Sequence, residues 1–507
     1  MNFEETISYG TMSFLTADFE KAISYAKEAR KLEPDNPEPY ELMAKSYQAL
    51  GKTSESVHYF KKAVECDVNN GNRYVELGIA YGSNEQPAEA LESFAEAERL
   101  NCSDDYRGGM YRTLALVDYD TGRYEDAAAN FTKAQKYLEP DTELLMYKAL
   151  SYSMAGNISK AVLTVNQIKQ LAPLDYSGYK LAYTFYMHFE RFEDAVDELS
   201  EAQEIMTENE KNLPMDFYFD YADLLHAKYE KENDEDKKAE YLSGIIETIS
   251  KGLKESKPDI NEVVNAYIQS ADTYIQLAQY ADGEENKAYM YNYAVNILNA
   301  VNSPAQSFNS GFLVMESVLK TEYPEDKSYF ENSDYQQYSE DELQMLSESA
   351  LYEKDNNSES ETKETYKLDV NEPINYSDEI RERVYMLYIS AYTGLKDYKN
   401  VLRYVNEIKD RNNIQIAHVG KYLEAKTYAD MGENEKASEL YKKLIEYYRR
   451  AVIKDPSDLS AVSYRVQCYI DLGEYSEARN YCHSLSESVR KPLLEQISKA
   501  ESAEKES

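Results

Sequence analysis

A period of 34 residues runs through residues 3–208 of this chain, and it limits the possible folds more than any other feature. The clearest unit carries Gly122 and Tyr124, then Ala127, Phe131 and Ala134. Moved on by 34 positions, the same slots hold Gly156, Ile158, Ala161, Val165 and Ile168. A second step reaches Glu190, Phe192, Ala195, Leu199 and Ala202. Backward, past a three-residue insertion, they hold Ala90, Phe94 and Ala97, then Gly51, Ser56, Phe60 and Ala63, then Ala17, Phe19, Ala22 and Ala29. Self-similarity at a period of about 20–50 residues marks folds that stack one supersecondary unit many times.

The upstream half of the unit repeats as well. Tyr40, Met43, Ala44 and Tyr47 recur as Tyr74, Leu77, Gly78 and Tyr81, and as Tyr179, Ala182, Tyr183 and Tyr186. Offsets of three and four place such residues on one helical stripe. Small residues in the middle let two helices approach, and the aromatics fill the space on either side. Prolines close several units, at Pro34, Pro140 and Pro173, where a helix cannot continue. Each unit therefore predicts two helices of about a dozen residues joined by a tight turn.

This pattern resembles the tetratricopeptide repeat family. The match lies in its large-large-small-aromatic first helix and in the glycine, aromatic and alanine spacing of its second, in about six units over residues 3–208. The resemblance implies an all-α, right-handed superhelical solenoid of helix-turn-helix repeats whose first helices line a concave wall. A single hairpin cannot bury its apolar face alone, so neighbouring units bury it for one another.

Beyond 208 the period loosens. Tyr218, Tyr221, Ala222 and Leu225 read as a first helix, and the stretch KYEKENDEDKK lengthens that unit before a helix ending near Pro258. Tyr267, Ala271 and Tyr274 open another expanded unit, closed by Pro304, and 304–324 reads as one extra helix; residues 209–325 are thus expected to be degenerate helical repeats. Residues 326–373 are rich in Ser, Glu, Asp and Asn. A segment with so little to bury cannot offset its ordering entropy, which predicts an acidic disordered loop with one short helix near Leu343. The pattern returns over 374–507 with Tyr385, Tyr388, Tyr392 and Tyr398, then Tyr428, Gly432, Ala437 and Tyr441, then Tyr469, Gly473, Tyr475 and Ala478. About three further repeats and a C-terminal capping helix after Pro492 are expected there.

The formal charge of −38 opposes binding to phosphate backbones and anionic membrane surfaces. It favours basic partners. The first thirty residues lack a secretory signal, no window suits a membrane span, and the four cysteines (Cys66, Cys102, Cys468, Cys482) form no CxxC, so a cytoplasmic location is expected. No cofactor and no metal are implied.

By the resemblance, the inner wall holds Lys45, Ile79, Arg112, Leu116, Tyr119, Met146, Leu150, Lys180, Thr184 and Met187, and further along Tyr422 and Lys426. Glu41, Val75, Met386, Ser463 and Gln467 occupy equivalent slots. Apolar residues beside Arg112 and Lys180 would suit a peptide or amphipathic helix with apolar anchors and some acidic groups. The carboxylate clamp of some family members needs Lys and Asn on three consecutive repeats, and Lys45 alone does not make it.

Several signals imitate chemistry. Gly51-Lys52-Thr53 looks like the end of a phosphate loop, but Ser46 stands where the first glycine belongs, and a helix precedes it. Asp118, Asp120 and Gly122 hint at a calcium loop, yet the glycine is one place early and Ala129 occupies the twelfth position. The five histidines are scattered, and Cys482 and His483, as helix neighbours, point to different faces. The 49 tyrosines fall largely in packing slots, which reads as core. The leading expectation is a non-catalytic scaffold holding a protein or peptide partner in the groove, and the sequence leaves the oligomeric state open. A peptide-sensing regulator is the alternative, and an enzyme with an unrecognised site in 209–325 is the third class.

Overall fold

A helical hairpin with a small-residue seam is what the 34-residue unit becomes. The computed structural model describes residues 1–139, 141–309, 367–368 and 376–506, and it contains twenty-four α-helices and no strand among them. The chain divides into a unit of Met1–Lys211 and a unit of Asn212–Ser507.

The first unit holds α1 (Phe3–Leu15), α2 (Phe19–Leu32), α3 (Glu38–Ala49), α4 (Thr53–Cys66), α5 (Gly71–Ser83) and α6 (Pro87–Arg99). It continues with α7 (Asp104–Asp120), α8 (Tyr124–Ala134), α9 (Thr142–Met154), α10 (Ile158–Leu171), α11 (Tyr176–His188) and α12 (Phe192–Glu208). Odd helices pair with the even helix that follows, and each hairpin packs on the next. Starts are set locally. Asn2 and Glu5 form a capping box on α1, and Asp18, Asp141, Asn157 and Asp175 cap α2, α9, α10 and α11 through their side-chain oxygens.

The repeated alanine slot closes each hairpin. Ala22, Ala90, Ala127, Ala161 and Ala195 have no exposed surface, and Ser56 in the same register is buried. One turn on, Phe60, Phe94, Phe131, Val165 and Leu199 are buried too, each stabilising the fold by about 1.5–3 kcal/mol relative to exposure. The approach is tightest at Gly78, where a Cβ would stand 2.4 Å from the Phe94 ring. Only a glycine fits that contact.

The turn between the paired helices needs a left-handed residue. Gly51, Gly122 and Gly156 take φ of 70°, 78° and 75° there, and Ala17, Glu85 and Glu190 adopt 59°, 56° and 56° in the same slot. Retaining this geometry in residues that pay a Cβ penalty shows that the backbone hydrogen bonds of the turn dictate it. Arg123 N–H donates to Asp118 O at 2.8 Å, and Asn157 N–H to Tyr152 O at 2.8 Å, in equivalent places.

The second unit opens with the hairpin α13 (Met215–Lys231) and α14 (Glu235–Glu255). The charged stretch KYEKENDEDKK lengthens these two helices, so only three residues separate them. Next come α15 (Ile260–Leu277), α16 (Gly283–Val301) and the short α17 (Pro304–Asn309). The acidic segment 326–373 and the helix expected near Leu343 lie outside the described residues, Lys367 and Leu368 excepted. Leu368 is buried; its N–H donates to Asn309 Oδ1 and its carbonyl accepts from Asn309 Nδ2, both at 2.9 Å.

The unit continues with α18 (Asp378–Gly394), α19 (Tyr398–Ile408), α20 (Ile414–Asp430), α21 (Asn434–Lys454), α22 (Leu459–Asp471), α23 (Tyr475–Cys482) and α24 (Glu487–Glu506). Lys396, Gly432 and Gly473 repeat the left-handed turn at 58°, 80° and 72°. Among the longest helices is α21, with 21 residues against 14 in α10. The seven extra residues are about two turns. They bury Tyr448, whose hydroxyl donates to the His418 carbonyl at 2.8 Å.

His418 itself is fully buried between α20, α21 and the start of α22. Its Nδ1 lies 3.1 Å from Ser460 Oγ and 3.6 Å from Asp458 Oδ2, and Ser460 Oγ donates to Asp458 Oδ1 at 2.7 Å. Nε2 has no hydrogen-bond partner among the described residues, and Tyr447 and Tyr448 meet the ring edge-on. Burial lowers the imidazole below its ordinary range of about 6.5; Asp458 works against that and Lys421 adds to it. The folded protein therefore holds His418 neutral.

Two tests follow from this packing. Gly122→Ala puts its Cβ into open space, so its expected cost of about 1–2 kcal/mol arises from the left-handed backbone alone. Ala127→Leu, by contrast, overpacks the seam and should cost about 1–3 kcal/mol. Urea denaturation read by circular dichroism measures both, and a neutral Ala127→Leu would contradict a closed seam. For His418, the unfolded chain takes up a proton below about pH 6.5 before the folded chain does. Stability is thus full above that pH and lost on acidification towards the lowered folded value, by at most about 1.4 kcal/mol per pH unit. His418→Gln should flatten this slope, and an unchanged slope would assign the acid sensitivity elsewhere.

Candidate functional site

In the Met1–Lys211 unit the expected groove residues lie on the first helices of the hairpins. Lys45, Ile79, Arg112, Leu116, Tyr119, Leu150, Lys180 and Met187 are half-buried, and Met146 and Thr184 are exposed. Val75, placed in an equivalent slot by spacing, has no exposed surface and belongs to the core. It packs in the cluster that contains Phe60 and Phe94.

Two cations expected on this wall, Lys45 and Arg112, are engaged by carboxylates of the neighbouring repeat. Lys45 Nζ on α3 stands 2.9 Å from Glu76 Oε1 on α5. Arg73 on α5 returns the contact, with Nε 2.6 Å from Glu41 Oε1 and Nη1 paired to Asp67. Arg112 on α7 reaches α9, with Nη1 3.1 Å from Asp141 Oδ2 and Nη2 paired to Glu143. Burial alone would lower the Lys45 ammonium, but Glu76 opposite outweighs it and leaves Lys45 above the usual lysine range. Glu41 moves up through burial, with Arg73 pulling against that shift.

The apolar part centres on α9. Met146, Leu150 and Met154 recur every four residues on one face, with Met146 38% and Met154 55% exposed. Tyr119 of α7 meets the Tyr147 ring of α9 edge-on at 5.6 Å, which closes the wall between the two helices. Thr184 is back-bonded, its hydroxyl donating to the Lys180 carbonyl at 2.7 Å.

In the Asn212–Ser507 unit, Tyr422 and Lys426 lie on α20. The Tyr422 hydroxyl donates to Asp471 Oδ2 at 2.8 Å, and its ring packs on Tyr464 at 5.2 Å. Burial and then Asp471 hold that phenol above the ordinary tyrosine range. Lys426 Nζ is 3.1 Å from Asp430 Oδ1 in its own helix. Tyr422 thus ties α20 to α22, and Lys426 stays exposed.

The look-alike motifs acquire structural roles. Asp118 is buried; its Oδ1 accepts from Arg123 Nε at 2.9 Å and Nη2 at 2.6 Å, and its Oδ2 from Asn130 Nδ2 at 2.7 Å. Gly51 is the left-handed turn, and the Thr53 hydroxyl donates to Asn84 Oδ1 at 2.7 Å. Cys482 is fully buried in the slot that holds Phe131 and Tyr441 elsewhere, and His483 is exposed. No group of three or more His, Cys, Asp or Glu among the described residues could hold a metal ion. No helix among them is long and apolar enough to cross a membrane.

Spacing within single helices missed Glu76, Arg73, Asp141 and Glu143, which neutralise the wall, and Met154, which extends its apolar stripe. A signal for the ion pairs existed. Glu41 and Arg73 are 32 residues apart, and Lys45–Glu76 and Arg112–Glu143 are each 31 apart. Opposite charges just under one repeat apart meet across adjacent first helices.

Stacked helical hairpins with a left-handed turn and an alanine seam define a repeat protein of the all-α class. Models of the tetratricopeptide repeat match residues 37–67, 112–176 and 422–484, and the chain is a tetratricopeptide repeat protein. Such proteins are in general non-catalytic scaffolds that bind protein partners. Among solved structures, the chain is similar to YrrB, described as a TPR protein with an unusual peptide-binding site, at 20% identity over 36% of this chain and 92% of that one (TM-score 0.32). It is similar to a tetratricopeptide repeat protein from Parabacteroides merdae at 18% identity over 48% and 93% (TM-score 0.34). The C-terminal part of a TPR repeat-containing protein from Cytophaga hutchinsonii aligns at 15% identity over 48% and 95% (TM-score 0.39). No curated protein matches the chain.

Proposed function

We propose that this chain holds a peptide or helix of a partner protein against the wall formed by α7, α9 and α11. The observation that carries the reading is the stripe on a first helix of exposed Met146 and Met154 with half-buried Leu150 between them. Apolar side chains at one-turn spacing offer anchors for a guest's own apolar residues. Methionine suits such a surface, since three rotatable bonds let it conform to different guests. Leu116, Tyr119 and Met187 extend the stripe to either side. The binding is non-catalytic in this reading, and two of the wall's cations, Lys45 and Arg112, are committed to ion pairs between repeats.

A photo-crosslinking residue placed at Met146 or Thr184 should capture partner peptides identifiable by mass spectrometry. The same residue at Leu163, which is 64% exposed on the second helix α10, should capture few. Adducts from Leu163 with none from the wall would overturn the reading.

A further inference from the structure

We propose that the guest of the α7–α11 wall is a polypeptide segment whose apolar anchors are flanked by lysine or arginine, not by acidic residues. This rests on the groove reading above and adds the chemistry of the guest to it. Read along the chain alone, Arg112 and Lys180 look like receptors for carboxylates. In the folded unit Arg112 is already held by Asp141 and Glu143, as Lys45 is by Glu76. Arg73, the other cation of this network, faces Glu41 and Asp67. Each guanidinium therefore sits between two carboxylates, and each such cluster carries a net negative charge.

A guest carboxylate would have to displace one of these partners and would then face the displaced group. A guest ammonium or guanidinium instead meets the surplus carboxylate. Glu143 serves this purpose best, since it lies in the first turn of α9, on the same helix as Met146, and is exposed, whereas Asp141 already caps α9 with one oxygen and holds Arg112 with the other. Asp120, exposed at the end of α7, adds a further charge of the same sign. The chain's overall charge of −38 acts in the same direction at longer range by steering basic segments towards it.

Geometry sets the anchor spacing. Met146, Leu150 and Met154 succeed one another at about 6 Å along the helix axis. A guest helix with apolar residues at i, i+4 and i+8 matches that step, and so does an extended strand with apolar residues at alternate positions. Basic residues should flank the anchors that lie near the start of α9.

The test uses the full chain and two fluorescein-labelled synthetic peptides of about 16 residues. Both carry leucine at i, i+4 and i+8 on an alanine–glutamine background, one with four lysines and the other with four glutamates. In fluorescence anisotropy the lysine peptide should bind about tenfold or more tighter at low salt, with the gap narrowing as salt screens the field. Met146→Asn with Met154→Asn should weaken it about tenfold, and Leu163→Asn should leave it unchanged. Glu143→Gln should weaken the lysine peptide and strengthen the glutamate peptide, because it removes one of the two carboxylates that hold Arg112. Should the glutamate peptide bind as well or better while staying sensitive to the methionine changes, the basic class is wrong and the groove stands. Lysine-peptide binding that ignores the methionine changes overturns the groove reading, and this inference with it. Absence of lysine-peptide binding up to about 200 µM overturns the inference and leaves the groove to the crosslinking result.

Discussion

The contact between the two helices of each hairpin is what the rest of the structure depends on. It works because one slot on the second helix is filled by a residue small enough to let the first helix in. Ala90, Ala127, Ala161 and Ala195 are completely buried there, and the first helix supplies its own small residue, such as Gly78 under the Phe94 ring. Once the helices stand that close, the large residues one turn away are forced sideways. Phe60, Phe94 and Phe131 then become half of an interface with the next hairpin, and stacking completes it. The left-handed turn serves the same contact, because any other backbone would lead the second helix away from the first.

Charge is used economically between repeats. The chain is strongly acidic, and several of its cations sit where two hairpins meet. Lys169 of α10 is buried with Nζ 2.8 Å from Glu198 and 2.8 Å from Glu201 of α12, above the Tyr179 ring. Lys45, Arg73 and Arg112 do similar work on the first helices. Such pairs contribute little to stability where they are exposed. Their larger consequence is that the inner wall presents satisfied cations and surplus carboxylates beside an apolar stripe. That combination is what the proposed basic guest would meet.

Much of the fold was legible because the features that make a hairpin are local. Ala127, Phe131 and Ala134 lie within two turns of one helix, so their spacing carries the whole message. Glu85 and Glu190 were harder, since nothing about a glutamate announces a left-handed turn; only the register with Gly51, Gly122 and Gly156 does. The wall was legible in part. By phase Met146, Leu150 and Val75 hold similar slots, yet Met146 is exposed, Leu150 half-buried and Val75 buried in the Phe60 and Phe94 cluster. In the second unit, Tyr422 carries a wall phase as well, yet its hydroxyl is held by Asp471.

The sequence by itself determined the hairpins, their turns and the order in which they stack, because each follows from side-chain size and backbone freedom within about one repeat. Only the tertiary structure decided which charges meet. Glu76 and Lys45, or Glu143 and Arg112, become neighbours when adjacent first helices lie side by side, and their separation along the chain conceals it. The chemistry of the wall is therefore a property of the stack, since Coulomb attraction depends on distance through space.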